Sequence, residues 1–224
     1  MKPNVLLAET RTPDGAVLTL HRHDGHYQLR VNGHGLMTTR QTRSEAELAE
    51  RGCATIGGDH PPRVLIGGLG FGFTLRRVLE LLPTAQVQVA ELLPDIVVWN
   101  RAHLRAVNGA LLDDPRVEVL VDDVHTVMAL APPATYDAIL LDVDNGPEPL
   151  VDARNAQLYG FAGLRLLSHV LRPGGRAAFW SASPDRPFLR RLARAGFQAE
   201  ARRSRPYPQA KRAIYTLILA DRPA

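Results

Sequence analysis

The sequence has very little cysteine. Its 224 residues include only Cys53, which excludes an internal disulfide framework and a cysteine-based zinc site and fits a cytoplasmic protein. Lysine is nearly absent too: Lys2 and Lys211 stand alone, and arginine carries the positive charge. The net charge is only +4, so this arginine bias does not by itself define a nucleic-acid surface. No apolar run approaches the roughly 20 residues of a membrane span, and the first residues lack the apolar core of a secretion signal. No internal repeat or low-complexity tract is present. What the chain does have is 45% hydrophobic and 22% charged residues, enough for one sizeable core with a small appendage.

The most informative stretch is Arg63 to Arg76. Val64, Leu65 and Ile66 read as a buried strand, Gly67-Gly68-Leu69-Gly70-Phe71-Gly72 as a glycine-dense turn, and Thr74 to Leu82 as a helix. Strand, glycine turn and helix open a dinucleotide-type βαβ unit, in which Gly68, Gly70 and Gly72 let the backbone turn tightly and approach a ligand. A second strand, Gln86 to Ala90, ends in Glu91, about twenty residues past the glycines. An acid at that strand tip is placed to accept from the hydroxyls of a ribose. The expected site is one for a nucleoside cofactor.

Before this unit, residues 1–60 are expected to form a small β-hairpin and helix region. Ala16–Leu20 and Tyr27–Val31 alternate around the hairpin signal Asp24-Gly25. His21 and His23 share a strand face, but no third ligand at a recognisable spacing accompanies them, so no metal is expected. Ser44 is read as the N-cap and Glu47 as N3 of a helix. The breakers Gly57 to Pro62 mark the boundary to a second region, residues 61–224.

In that region strand and helix patterns alternate. A helix from Asp95 to Val107 precedes a strand at Val117–Val121, a short helix at His125–Leu130 and a strand at Tyr136–Leu141. A long helix, Asn155 to Leu171, closes on the turn Arg172 to Gly175, and strands at Arg176–Ser181 and Ala213–Ala220 finish the chain. Repeated βα units predict an α/β, Rossmann-like, mostly parallel and doubly wound sheet. Ligands of such a sheet sit beyond the carboxyl ends of its strands. Three acids are expected there: Glu91 for ribose, Asp123 for an adenine amine, and Asp142 toward the reactive end of the cofactor. An acid at a strand end can also cap the helix that follows it, Asp123 among them. Asp144 and Asn145 are expected to shape an acceptor pocket, with Tyr159, Trp180 and Tyr207 as candidate walls.

Ile66 to Arg76, Val89-Ala90-Glu91, Asp114 to Val119 with Asp123, Tyr136 to Asp142 and Leu171 to Gly175 together resemble the spermidine synthase (polyamine aminopropyltransferase) family, within the S-adenosylmethionine-dependent methyltransferase fold. The resemblance runs from about Gly25 to the C-terminus. It implies that Glu91 binds ribose, that Asp123 binds adenine, and that Asp142 orients the attacking amine and accepts its proton. It also implies a homodimer. Phe71 stands where that family carries an aspartate for the aminopropyl ammonium, Leu48 and Ala49 where it carries Tyr-Gln, and Asp144 one position from a family acid. These departures point first to methyl transfer from S-adenosylmethionine to a small amine. The alternative is aminopropyl transfer from decarboxylated S-adenosylmethionine. A nucleic-acid methyltransferase using Arg190, Arg191, Arg194, Arg202, Arg203, Arg205 and Arg212, and a non-catalytic binding module, are further readings. The first of these lacks the Asn/Asp-Pro-Pro-Tyr/Phe motif; the second is at odds with the intact glycine turn and Glu91.

Overall fold

In a computed structural model of the chain, which describes residues 3–143, 157–207, 209–210 and 212–224, the expected central strand is β5, Arg63–Gly67. Val64, Leu65 and Ile66 are fully buried, as an apolar run covered on both faces of a parallel sheet should be. The strand lies inside a seven-stranded sheet, with two strands on one side and four on the other. On one side of it lie β6 (Gln86–Ala90) and then β7 (Val117–Leu120). On the other lie β8 (Tyr136–Leu141), β9 (Leu171–Ser181), β11 (Tyr215–Asp221) and finally β10 (Gln198–Ser204). The first five of these strands are mutually parallel, and β11 runs antiparallel to both β9 and β10. The α/β, doubly wound Rossmann-like reading therefore holds. Strand order reverses between β6 and β8 on either side of β5, and this switch point opens a crevice at the strands' carboxyl ends.

The helices follow the pattern with three differences. Thr42, not Ser44, is the N-cap of α1 (Arg43–Gly52), and no side-chain cap is made. The Ser44 hydroxyl instead donates to Glu45 at 2.6 Å, and both residues are buried. The expected helix from Asp95 breaks into α3 (Pro94–Ala102) and α4 (Arg105–Asn108). The expected long helix is α6, Phe161–Val170 within the described residues, and Arg172 to Gly175 belong to β9 rather than to a separate turn. The remaining helices are α2 (Phe73–Leu81), α5 (Val124–Leu130) and α7 (Arg186–Arg194), with a 3-10 turn at Leu111–Asp113.

The N-terminal sheet is larger than the hairpin expected. To β2 (Val17–His23) and β3 (His26–Val31) it adds β1 (Asn4–Arg11) and β4 (His34–Thr38), in the order β1-β2-β3-β4, all antiparallel. Asp24 (φ 51°) and Gly25 (φ 77°) take left-handed conformations between β2 and β3, as a tight two-residue hairpin requires. β1 and β4 escaped detection because neither alternates cleanly: β1 is mostly exposed and β4 only half-buried. Leu18, Leu20 and Leu29 of this sheet join one apolar core with Leu48 of α1 and Val64, Ile66 and Val89 of the large sheet. Thr10 also donates to Asp95 Oδ2 at 2.8 Å, so the small sheet is held over the start of α3, directly above the crevice.

Candidate functional site

The crevice is a cavity of about 500 Å³. Its floor is the glycine turn and the ends of β6, β7 and β8; its roof is β3, β4 and the first turn of α1. Three backbone requirements shape the floor. Gly68, Gly70 and Gly72 all have positive φ (87°, 49° and 79°), a region that L side chains rarely enter. A Cβ on Gly68 would lie 2.5 Å from the Asp142 carbonyl oxygen, and one on Gly70 would lie 2.8 Å from Met37 Cε. Gly72 is the N-cap of α2 and lies outside the cavity lining, whereas Gly68 and Gly70 line it.

Glu91 holds the turn in place. Its two carboxylate oxygens accept from the backbone N–H groups of Leu69 and Leu93, each at 2.9 Å. Burial raises its pKa and these backbone donors oppose the rise. The residue also lines the cavity. Asp123 serves two sides as well: it is the N-cap of α5, accepting from His125 N at 2.8 Å, and it lines the cavity beside Asp122. The glycine turn is braced from behind by Asn100, whose Nδ2 donates to the Gly70 carbonyl at 2.8 Å, and by Asn108, which donates to Asn100 Oδ1 at 2.6 Å.

Asp142 follows β8 and faces the same cavity. Its Oδ2 accepts from the Thr74 hydroxyl at 2.8 Å. Burial pushes its pKa up to about 6, and the Thr74 hydrogen bond works against the rise. Glu45, on the roof, is only 6% exposed. Burial, and then the nearby charge of Asp142, push its pKa up to about 7. Trp180 and Tyr215 close this end, their rings tilted at 44° with centroids 4.9 Å apart. The Tyr215 hydroxyl donates to Gln41 Oε1 at 3.2 Å.

The structure thus brings Gly68, Gly70, Glu91, Asp123, Asp142 and Trp180 to one cavity. The other aromatic candidates lie elsewhere. Tyr159 is buried in a core stack with Phe179 and Phe188 (centroids 6.0 and 5.2 Å), and Tyr207 is exposed on a loop away from the lining. Asp144 and Asn145 lie outside the described residues. Phe71 does not face the cavity either: it is 1% exposed and packs edge-on against Phe73. Glu45, Gln41 and Tyr215 were missed because helical periodicity reads Glu45 as one more surface acid, and Tyr215 as one residue of an apolar strand. Asn100 and Asn108 carry no sequence signal of their role.

The sequence profile of the spermine/spermidine synthase domain matches residues 49–190. A polyamine aminopropyltransferase of Mycobacterium tuberculosis is 32% identical over 145 residues, covering 64% of this chain and 27% of that protein. Polyamine aminopropyltransferase 2 of Pseudomonas aeruginosa is 35% identical over 142 residues, 60% of this chain and 38% of that protein. The chain therefore spans well under half the length of these curated relatives. Among solved structures, a spermidine synthase in complex with the transition-state analogue AdoDATO superposes with a TM-score of 0.78 at 17% identity, covering 96% of this chain and 73% of that one. The Thermotoga maritima spermidine synthase gives 0.75 at 18%, covering 96% and 72%. Both curated relatives are named for aminopropyl transfer. These findings favour the aminopropyl alternative over the methyl transfer expected first. Because the profile takes in more than half of the residues, the chain belongs to the spermine/spermidine synthase family.

Proposed function

We propose that this chain transfers the aminopropyl group of decarboxylated S-adenosylmethionine to a small amine. One observation carries the reading. Among the described residues the cavity lining holds five carboxylates, Glu45, Glu91, Asp122, Asp123 and Asp142, and no lysine, arginine or histidine. Such a site attracts a cationic donor and a cationic acceptor. It offers no cation to the α-carboxylate that S-adenosylmethionine carries and its decarboxylated form lacks.

In this reading Gly68 and Gly70 admit the donor's nucleoside against the backbone, Glu91 accepts from its ribose hydroxyls, and Asp123 accepts from its adenine amine. Asp142 takes a proton from the acceptor ammonium and holds the freed amine in line. The nitrogen lone pair then forms a bond to the propyl carbon next to sulfur, and the carbon–sulfur bond breaks. Its electron pair returns to sulfur, giving 5′-methylthioadenosine and a protonated secondary amine. The sulfonium is already activated, so alignment and proton acceptance are what the protein adds. Trp180 walls the acceptor end, and Asp144 and Asn145 are the acceptor-side candidates beyond Val143.

Residues 1–60 serve in this reading as the roof and residues 61–224 as the nucleoside-binding part. The protein acts as a cytoplasmic homodimer; the exposed Val5 and Leu6 on the edge strand β1 support self-association. No described helix is long and apolar enough to cross a membrane. The test is to supply decarboxylated S-adenosylmethionine with a panel of short mono- and diamines and to measure 5′-methylthioadenosine. Amine-dependent release supports the reading; release from S-adenosylmethionine together with a methylated amine contradicts it.

A further inference from the structure

We infer that Glu45 is the carboxylate that receives a primary alkylammonium group in this cavity, beside Asp142 and against the rings of Trp180 and Tyr215. The inference deepens the reading above and rests on it for the identity of the ligand.

Three acids sit on α1, and the other two show what a structural acid does there. Glu47 pairs with Arg43 at 3.0 Å and Glu50 with Arg77 at 2.9 Å, at the rim of the helix. Glu45 is turned inward instead, lines the cavity, and pairs with no described arginine, lysine or histidine. Its one described side-chain partner is the Ser44 hydroxyl. An acid in a first helical turn gains from the helix dipole while exposed, so that benefit does not require burial. Burying it next to a second unpaired carboxylate costs stability through desolvation and repulsion. Groups that face it are Asp142 at the end of β8, Tyr215 on β11, Ser44 on its own helix and Gln41 before it. None carries a positive charge.

A ligand that relieves this arrangement needs a compact cation with several N–H donors on a slender apolar stem. A primary alkylammonium has three donors. It can bridge two carboxylates while its methylenes lie on aromatic faces, which also attract the charge. Two sources have this chemistry: the aminopropyl end of the donor and the reacting end of the acceptor.

Calorimetry on the wild type and Glu45→Gln separates them, with three probes: 5′-methylthioadenosine, decarboxylated S-adenosylmethionine, and 1,4-diaminobutane added to the protein saturated with 5′-methylthioadenosine. The thioether nucleoside, which has no ammonium, should bind both proteins alike. Affinity for one of the other two should fall about tenfold or more in the variant. Loss for the sulfonium identifies the donor end, and loss for the diamine identifies the acceptor. Equal affinity of both proteins for both cations, within twofold, overturns the inference. If the wild type binds neither nucleoside, the reading above fails, and Glu45 is judged on 1,4-diaminobutane alone by the same criterion. Thermal unfolding of the ligand-free proteins at pH 7.5 supplies a readout that a structural role would move the other way. The variant should melt at the same temperature or higher, and a lower one counts against the inference.

Discussion

The hydroxyl of Thr74 donates to the Asp142 carboxylate at 2.8 Å, joining the first turn of α2 to the end of β8 across the glycine turn. The contact fixes one oxygen of the acid proposed to accept the proton and stabilises its charged form. Thr74→Val keeps the shape and removes the donor. The pKa of Asp142 should then rise further, and the acid limb of the kcat/KM profile should shift to higher pH. The hydrogen bond is worth about 1–3 kcal/mol. An unshifted profile would show that Thr74 does not act through Asp142.

Asp142 itself is open to a more direct substitution. Asp142→Asn retains the volume but cannot accept the ammonium proton. Its kcat should fall by about 10²–10⁴-fold, while 5′-methylthioadenosine binds as in the wild type because Glu91 and Asp123 are untouched. Single-turnover rates with equilibrium titration check this. A comparable loss of nucleoside affinity would assign Asp142 to nucleoside binding rather than to the proton.

Glu45 and Asp142 give the ligand-free protein a pH dependence of definite sign. Burial raises Glu45 from 4.5 to about 7 and Asp142 from 3.8 to about 6, and the two repel each other. The folded state therefore holds protons that the unfolded chain has already released. Their stabilising contribution is complete below about pH 4 and is lost as pH rises through 6 and 7. Melting temperatures of the wild type should fall across pH 4.5–7.5 relative to the Glu45→Gln, Asp142→Asn double variant. Parallel curves would contradict the buried pair. Activity should run the other way, rising over pH 6–7 as the pair becomes able to accept a proton.

Much of this fold was legible because parallel strands buried on both faces leave unbroken apolar runs. Val64–Ile66 and Ala138–Leu141 are such runs, and the glycine turn needs a backbone that only glycine adopts readily. The floor of the site was legible for the same reason: Glu91 and Asp142 follow directly on strands, and Asp123 stands three residues past the end of β7. The roof was not. Glu45 reaches the cavity through the packing of α1, whose Leu48, Ala49 and Gly52 are buried. An added Cβ on Gly52 would overlap Leu140 Cδ2, and no local pattern encodes so close an approach of helix to sheet. Tyr159 misled for the converse reason. An aromatic inside the helix expected from Asn155 reads as core more readily than as a wall, and the Phe179–Phe188 stack shows it to be core.

The glycine turn supplies a prediction that depends on backbone alone. Gly68→Ala demands φ near +87° from an alanine and puts a methyl 2.5 Å from the Asp142 carbonyl oxygen. The strained φ alone costs about 1–2 kcal/mol, and relief of the clash moves β8 and Asp142 away from the turn. Affinity for the nucleoside should drop about tenfold or more while the far-UV circular dichroism stays that of the wild type. Unchanged affinity would mean that the ligand does not lie on this turn.

The central claim is that the acidic cavity takes the decarboxylated donor. Calorimetric titration of the wild type with S-adenosylmethionine and with decarboxylated S-adenosylmethionine, in one buffer at pH 7.5, tests it most directly. Five carboxylates and no described basic residue in the lining predict tighter binding of the decarboxylated form, by about tenfold or more. Tighter binding of S-adenosylmethionine itself would contradict the account and return methyl transfer to first place.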